Sequence, residues 1–480
     1  MHRRILALAV ALTTFAARSE AQSPRSIGPQ AQAEALGRAY ADAVNREEAL
    51  EAYMRLDAEP VSPGVIRNFF EDQRWINGGG VDFVAARARP STPVVIEAVV
   101  RTHLYGALQG VEFTLSPGPN PRVTLFVPVA APAWALTIPA PASQREVAGR
   151  ITRLMEKACR ADLFSGAVLV AWGEQVLVQQ ACGEASRRYH APNTVETRFN
   201  LGSMDKMFTA VAAMQLAEAG KLSLDATLDH YLDASWLDPE VARKVTVWQL
   251  MTHTSGVIPD VTSLAEAQPR TQFRELDEYK SLTHQVGLSF APGSQFAYSN
   301  TGMVLLGAVI AKTSGEDYYA YIRAHILQPS GMAATGSFAS DDPVENLATG
   351  YIHAPGSPYG WRENTTRLLL RGVPAGEGYS NLTDLRRFAL ALQAGKLLSP
   401  AAVRRLWTDH NQAHYGAGFE IEHSALGMSA GHSGFFRGVS TRMRLYSDRG
   451  FLVIVLSNID RAGPPLVDAI EEQLLALPAR

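Results

Sequence analysis

"FNLGSMDKMFTA", residues 199–210, places a serine and a lysine three positions apart at the head of a strongly apolar segment. From Met204 to Ala217 the only polar residues are Asp205, Lys206, Thr209 and Gln215. That pattern predicts a helix that is apolar on nearly every side and runs through a domain core, with Gly220 marking its end. A lysine one turn into such a helix loses hydration, and desolvation lowers the pKa of its ammonium until a neutral amine persists near pH 7. Spacing of three sets Ser203 and Lys206 on one helical face, a nucleophile beside its base. Ser203 also falls at the helix N-terminus, where free backbone N–H groups favour negative charge on an attacked group. For a bare Ser-x-x-Lys the alternative is a serine cap followed by a lysine that snorkels to solvent. This helix has little polar face to snorkel along, and the chain holds no second Ser-x-x-Lys.

Around that core the chain is long, at 480 residues, with 46% apolar and 19% charged content, which is a globular composition with room for more than one domain. A net charge of -3 argues against a nucleic-acid partner, because such binding draws on clustered Lys and Arg. The N-terminus carries a basic start (His2, Arg3, Arg4), an apolar run from Ile5 to Ala17, and small residues at Ser19 and Ala21. This reads as a secretory signal over residues 1–21, and it implies a periplasmic or secreted protein. No later run reaches the roughly 20 apolar residues of a spanning helix.

Residues 22–127 read as a small α+β accessory domain. Leu36, Tyr40 and Val44 recur at helical spacing, a second helical stretch surrounds Tyr53 and Met54, and a third follows Ser62. Four strand-like runs then come in order: "VDFVAARA", "PVVIEAVVRT", "GVEFTLS" and "RVTLFVPV". "PVAAPAWALTIPAPASQ", residues 128–144, has four prolines and reads as a linker. From residue 145 a helix, "REVAGRITRLMEKAC", leads into a hairpin that turns at Gly173-Glu174 and is bracketed by Cys159 and Cys182. An oxidised pair suits an exported protein; two buried thiols are the alternative. Two strands around Asp448-Arg449-Gly450 and a helix from Pro465 close the chain. Strands from both ends with helices between them predict one sheet assembled from distant segments.

Two further groups are needed if Ser203 attacks a carbonyl: one to manage the leaving group's proton and one to hold the oxyanion. Tyr298-Ser299-Asn300 precedes an apolar helix, and the same triplet recurs at Tyr379-Ser380-Asn381. In the second copy Asn381 stands three residues before Asp384 at a helix start, which reads as a cap. Tyr298 is therefore the candidate. "GHSGFF" supplies His432-Ser433-Gly434 just before a strand, where a glycine lets backbone approach a ligand. Gly427-Met428-Ser429-Ala430-Gly431 matches a Gly-x-Ser-x-Gly elbow, but that elbow needs a following helix and a later histidine. No histidine follows His432.

Together Ser203-x-x-Lys206, Tyr298-x-Asn300 and His432-Ser433-Gly434 resemble the motifs of the serine β-lactamase-like hydrolases, specifically the class C β-lactamase, family VIII esterase and D-aminopeptidase group. "LMTHTSGV", "YSNTGMVLLGAVI" and "LQPSGM" look like the family's connecting text. The resemblance covers residues 145–480. It implies a β-lactamase/transpeptidase-like fold, an antiparallel sheet covered by helices plus a helical subdomain, and an acyl-enzyme on Ser203. Lys206 and Tyr298 would share proton transfer, with the base undecided between them. Backbone N–H groups of Ser203 and Phe435 would form the oxyanion hole, and Asn300, His432, Ser433 and Gly434 would meet substrate. No metal or cofactor is implied.

The family's third motif usually reads Lys-Thr-Gly. His432, with an ordinary pKa near 6.5, offers no fixed charge to a substrate carboxylate. The expected activity is therefore an exported carboxylesterase acting on small uncharged esters or amides. A β-lactamase or a D-amino-acid peptidase acting on cell-wall fragments is the alternative within that chemistry. A non-catalytic binding protein for peptides or wall fragments is the alternative outside it.

Overall fold

The computed structural model describes residues 10–11, 29–47, 63–89, 91, 94–115, 122–132, 134–136, 139–411 and 413–478. The signal assigned to residues 1–21, apart from Val10 and Ala11, and the helical stretch around Tyr53 and Met54 lie outside them. The chain divides into two compact units. One comprises residues 1–163, 424–426 and 464–479; the other comprises 164–423, 427–463 and 480. Among the described residues no helix is long and apolar enough to cross a membrane.

In the first unit the four strand-like runs become Val81–Arg89, Val95–Thr102, Leu108–Leu115 and Arg122–Ala130, an antiparallel meander in sequence order. The helix Pro29–Asn45 buries Leu36, Tyr40 and Val44, the positions its periodicity marks. Tyr40 meets Phe70 and Phe113 at ring-centroid distances of 5.6 and 6.0 Å. The last strand continues into the start of the Pro/Ala-rich stretch, with Pro128 paired to Val111. Helix Gln144–Arg160 begins on a capping box formed by Ser143 and Glu146.

The second unit is built on a six-stranded antiparallel sheet. Its spatial order is Glu420–Ser424, Gly427–Phe436, Val439–Tyr446, Phe451–Ser457, Gly166–Trp172 and Gln175–Cys182. Strands from the two ends of this unit pair directly, with Ile454 opposite Leu169. The hairpin turns at Gly173, whose φ of +61° suits a residue without Cβ. Cys159 and Cys182 are disulfide-bonded.

Leu169, Ala171, Met443, Leu445, Leu452 and Ile454 share one core with the helices Lys206–Glu218, Asn300–Ser314 and Leu382–Gln393. Two of these helices are apolar nearly all round. Lys206 through Met214 are buried without a break, as are Thr301 through Ile310, so both run through the interior.

Candidate active site

Ser203 lies in a 3-10 turn, Gly202–Asp205, and the α-helix starts at Lys206 itself. The sequence pattern puts both residues on one α-helix. The tighter winding serves the pair better, because positions three apart eclipse in a 3-10 turn. The turn is pinned from several sides. The Leu201 amide donates to Gly378 O at 2.7 Å, the Glu377 amide to Gly202 O at 2.9 Å, and Thr441 Oγ1 to Leu201 O at 2.9 Å.

Gly434 packs against this turn so closely that a Cβ on it would lie 1.8 Å from Leu201 O and 2.2 Å from Thr441 Oγ1. Neither atom can retreat, since the two are bonded to each other. Gly434→Ala is expected to cost about 3 kcal/mol of stability and most of the activity. Thermal unfolding and turnover measured on one sample check this. A variant as stable and active as the parent would show that the turn yields.

Lys206 is fully buried. Its Nζ reaches Ser203 Oγ at 3.1 Å and Asn300 Oδ1 at 2.9 Å, and it donates to Ala375 O. Burial lowers its pKa from 10.5 to about 7, against an opposite pull from Asp260, Asp205, Glu420 and Glu377. The partners suit the neutral form. An uncharged amine has two N–H bonds, which go to the acceptors Ala375 O and Asn300 Oδ1, and one lone pair, left for the Ser203 hydroxyl. The Asn300 amide is oriented by its other end, where Nδ2 donates to Asp260 Oδ2 at 3.1 Å.

Tyr298 precedes the helix Asn300–Ser314, and its hydroxyl is hydrogen-bonded to Ser203. Burial drives its pKa far upward, so the phenol keeps its proton at neutral pH and donates to Ser203 Oγ. Its ring lies 4.8 Å from Lys206 Nζ. The protons thus run in one direction, from Tyr298 O–H to Ser203 Oγ and from Ser203 O–H to Lys206 Nζ. The strand Gly427–Phe436 brings the third motif alongside. A Cβ on Gly202 would come within 3.0 Å of the Phe435 nitrogen.

His432 is buried, and both ring nitrogens have partners: Nε2 lies 3.0 Å from Tyr415 Oη and Nδ1 lies 2.6 Å from Ser433 O. Burial holds it below the ordinary histidine pKa, although Glu420 pulls the other way. Ser433 gives both its hydroxyl, at 2.5 Å, and its amide, at 3.0 Å, to the Glu420 carboxylate. Ser429 falls mid-strand in Gly427–Phe436, which is no nucleophile elbow. Asn381 caps the helix Leu382–Gln393 by accepting from the Asp384 amide at 2.9 Å, as its spacing suggests.

Sequence reasoning passed over several neighbours. Asp260, Glu420, His253 and Tyr415 all lie at the site, and only His253 sits in a stretch the sequence singles out. Gly376-Glu377-Gly378, which its glycines and carboxylate mark in the sequence as a loop lining the cleft, buttresses the serine turn. A Cβ on Gly376 would lie 2.5 Å from Gly202 O, while the Glu377 carboxylate accepts from the Leu369 amide at 2.9 Å.

A family profile described as Beta-lactamase matches residues 147–477. The chain belongs to the beta-lactamase family. It is 31% identical over 321 residues to Penicillin-binding protein 4* of Bacillus subtilis, an alignment spanning 62% of this chain and 68% of that protein. It is 31% identical over 248 residues to Esterase EstB of Burkholderia gladioli, covering 48% of this chain and 60% of the esterase. Among solved structures, the penicillin binding protein from Bacillus halodurans superposes with a TM-score of 0.60 at 32% identity, over 68% of this chain and 98% of that one. As a beta-lactamase-family protein the chain is a serine hydrolase, and the profile spans the serine turn, the Tyr298 loop and the His432 strand together.

Proposed function

We propose that this protein is an exported carboxylesterase that cleaves small uncharged esters through an acyl-enzyme on Ser203. The observation that carries the reading is the buried Lys206 amine, 3.1 Å from Ser203 Oγ. Of the two candidates for base, Lys206 with a pKa near 7 can give up its proton at neutral pH, whereas burial keeps Tyr298 protonated. Lys206 accepts the Ser203 proton as Oγ attacks the ester carbonyl. Tyr298, hydrogen-bonded to the same oxygen, passes its proton to the departing alkoxide, and the proton held by Lys206 restores the phenol. The Ser203 and Phe435 amides receive the oxyanion. Water then attacks the acyl carbon and gives its proton to Lys206, which passes it to Ser203 Oγ as the acyl–oxygen bond breaks and the acid leaves.

An uncharged substrate is favoured because the third motif carries no cation: His432 is held neutral, and beside it Glu420 claims Ser433. That carboxylate also supports a second reading, an amidase or peptidase whose substrate carries an ammonium group. Export rests on the reading of residues 1–21 and agrees with the Cys159–Cys182 disulfide; a mature N-terminus at Gln22 would verify it.

Side-by-side assays of a chromogenic short-chain ester, a chromogenic β-lactam and an amino-acid amide test the choice, with mass spectrometry to locate the trapped acyl group. The ester should exceed the β-lactam in kcat/KM by about 100-fold or more. A β-lactam hydrolysed faster than the ester would overturn the esterase reading.

The assignment of the base has its own test. Asp205, whose carboxyl is held above its usual pKa by burial, is one of the charges that raise Lys206. Asp205→Asn keeps an acceptor for the Gly378 amide and removes that charge, so the acid limb of the pH–rate profile should move down by roughly half a unit. A move upward would contradict Lys206 as the titrating group.

A further inference from the structure

Behind the Tyr298 ring runs a buried hydrogen-bond chain that the reaction as described does not use. The Ser299 amide donates to His253 Nδ1 at 3.2 Å, His253 Nε2 meets Tyr415 Oη at 3.1 Å, Tyr415 Oη meets His432 Nε2 at 3.0 Å, and His432 Nδ1 meets Ser433 O at 2.6 Å. His253, Tyr415 and His432 are 0%, 3% and 1% exposed. The two ends of the chain have fixed roles, since a backbone N–H only donates and a carbonyl only accepts. His253 must therefore accept at Nδ1 and donate from Nε2, Tyr415 must donate to His432 Nε2, and His432 must donate from Nδ1. One proton order satisfies all four bonds.

The same three rings wall in Tyr298, with centroids 4.3 Å (His253), 6.2 Å (Tyr415) and 6.3 Å (His432) from its own. His253 is held there at a φ of +56°, a left-handed conformation that costs a non-glycine residue about 1 kcal/mol or more. Strain of this kind persists where surrounding contacts enforce it.

We propose that His253 and Tyr415 are positioning residues that lock His432 as a neutral imidazole accepting at Nε2 and hold the Tyr298 ring against Ser203. This rests on the reading of Lys206 and Tyr298 as the proton-transfer groups. A second proton on His432 would have to enter at Nε2, where the Tyr415 hydroxyl already points. Turning that hydroxyl toward His253 would set it against the Nε2–H, and reversing His253 would set its Nδ1–H against the Ser299 amide. Every route to a charged His432 either leaves the buried Tyr415 O–H without an acceptor or sets two donors against each other. The groups facing His432 are Glu420, which favours a charge there, and Lys206 and Arg442, which oppose it. Burial already opposes a charge on His432, the fixed proton order of the chain opposes it further, and the wall beside Lys206 carries no second cation.

Nitrogen-15 NMR of the histidine-labelled full chain tests this directly. In the parent protein His432 should show an Nδ1–H tautomer and no imidazolium at neutral pH. An Nε2–H tautomer, or a substantial imidazolium population at pH 6.5, would overturn the proposal. Tyr415→Phe keeps the ring and deletes the hydroxyl. It should raise the His432 midpoint by about one unit and lower kcat about tenfold with KM nearly unchanged. Unchanged titration and kcat in that variant would also overturn it. The NMR measurement on the parent needs neither turnover nor a folded variant. A protein with this tautomer that hydrolyses no ester would therefore defeat the esterase reading alone.

Discussion

Ser203→Ala is expected to reduce turnover by about 10⁴-fold or more while leaving the fold intact. The hydroxyl is the only Ser203 atom in the proton path from Tyr298 to Lys206, so its loss removes the bond-forming atom and the link between the two groups. The structural cost is small. The turn is held by backbone bonds from Leu201, Gly202 and Glu377 and by Thr441, none of which uses the serine side chain. The melting temperature should stay within a few degrees of the parent, and the acyl adduct seen by mass spectrometry should vanish. Substantial residual activity with the parent's pH dependence would mean that another residue is the nucleophile.

Lys206→Met should be equally inactive and yet more stable. Burial that shifts an ammonium from 10.5 to about 7 costs the folded state a few kcal/mol, at about 1.4 kcal/mol per unit. Methionine fills a similar volume without that penalty. It leaves Asn300 Oδ1 and Ala375 O without their donor, at about 1 kcal/mol each, so the net gain is on the order of 1 to 2 kcal/mol.

The pH dependence of that gain has a definite sign. Between pH 7 and 10.5 the unfolded lysine binds a proton that the folded one does not, so the parent's stability rises with pH across that window relative to the variant. The advantage of methionine is full below pH 7 and fades toward pH 10.5. Thermal unfolding at pH 6 and pH 9.5 measures it; an advantage that grew with pH would contradict a depressed lysine.

Much of this was legible in residue order. The hairpin after residue 165 and the closing strand pair announce themselves by apolar runs broken at glycines that adopt positive φ, Gly173 and Gly450. Ser203, Lys206 and Tyr298 were found because proton transfer demands particular residue types, and the first two must be local to each other. What stayed hidden depends on contacts between distant positions. Tyr415 meets His253 across 162 residues and His432 across 17, and nothing near "HYGAG" marks a hydrogen-bonded tyrosine. Glu420 looks like any strand-end carboxylate until the sheet sets it beside Ser433. The 3-10 winding at Ser203 was missed for a similar reason, because it is imposed by Gly434 and by Gly376-Glu377-Gly378 packing on the turn and not by the propensities of Gly-Ser-Met-Asp.

The central claim is that an uncharged Lys206 removes the proton of Ser203. The most direct measurement is the rate at which a fluorophosphonate labels Ser203 as a function of pH, because labelling needs the activated hydroxyl and no substrate recognition. The account predicts a sigmoidal rise with a midpoint near pH 7, set by Lys206, and slow labelling without that rise in Lys206→Met. A rate that is flat from about pH 5 to 9, or that climbs only near the ordinary lysine pKa of about 10.4, would contradict it.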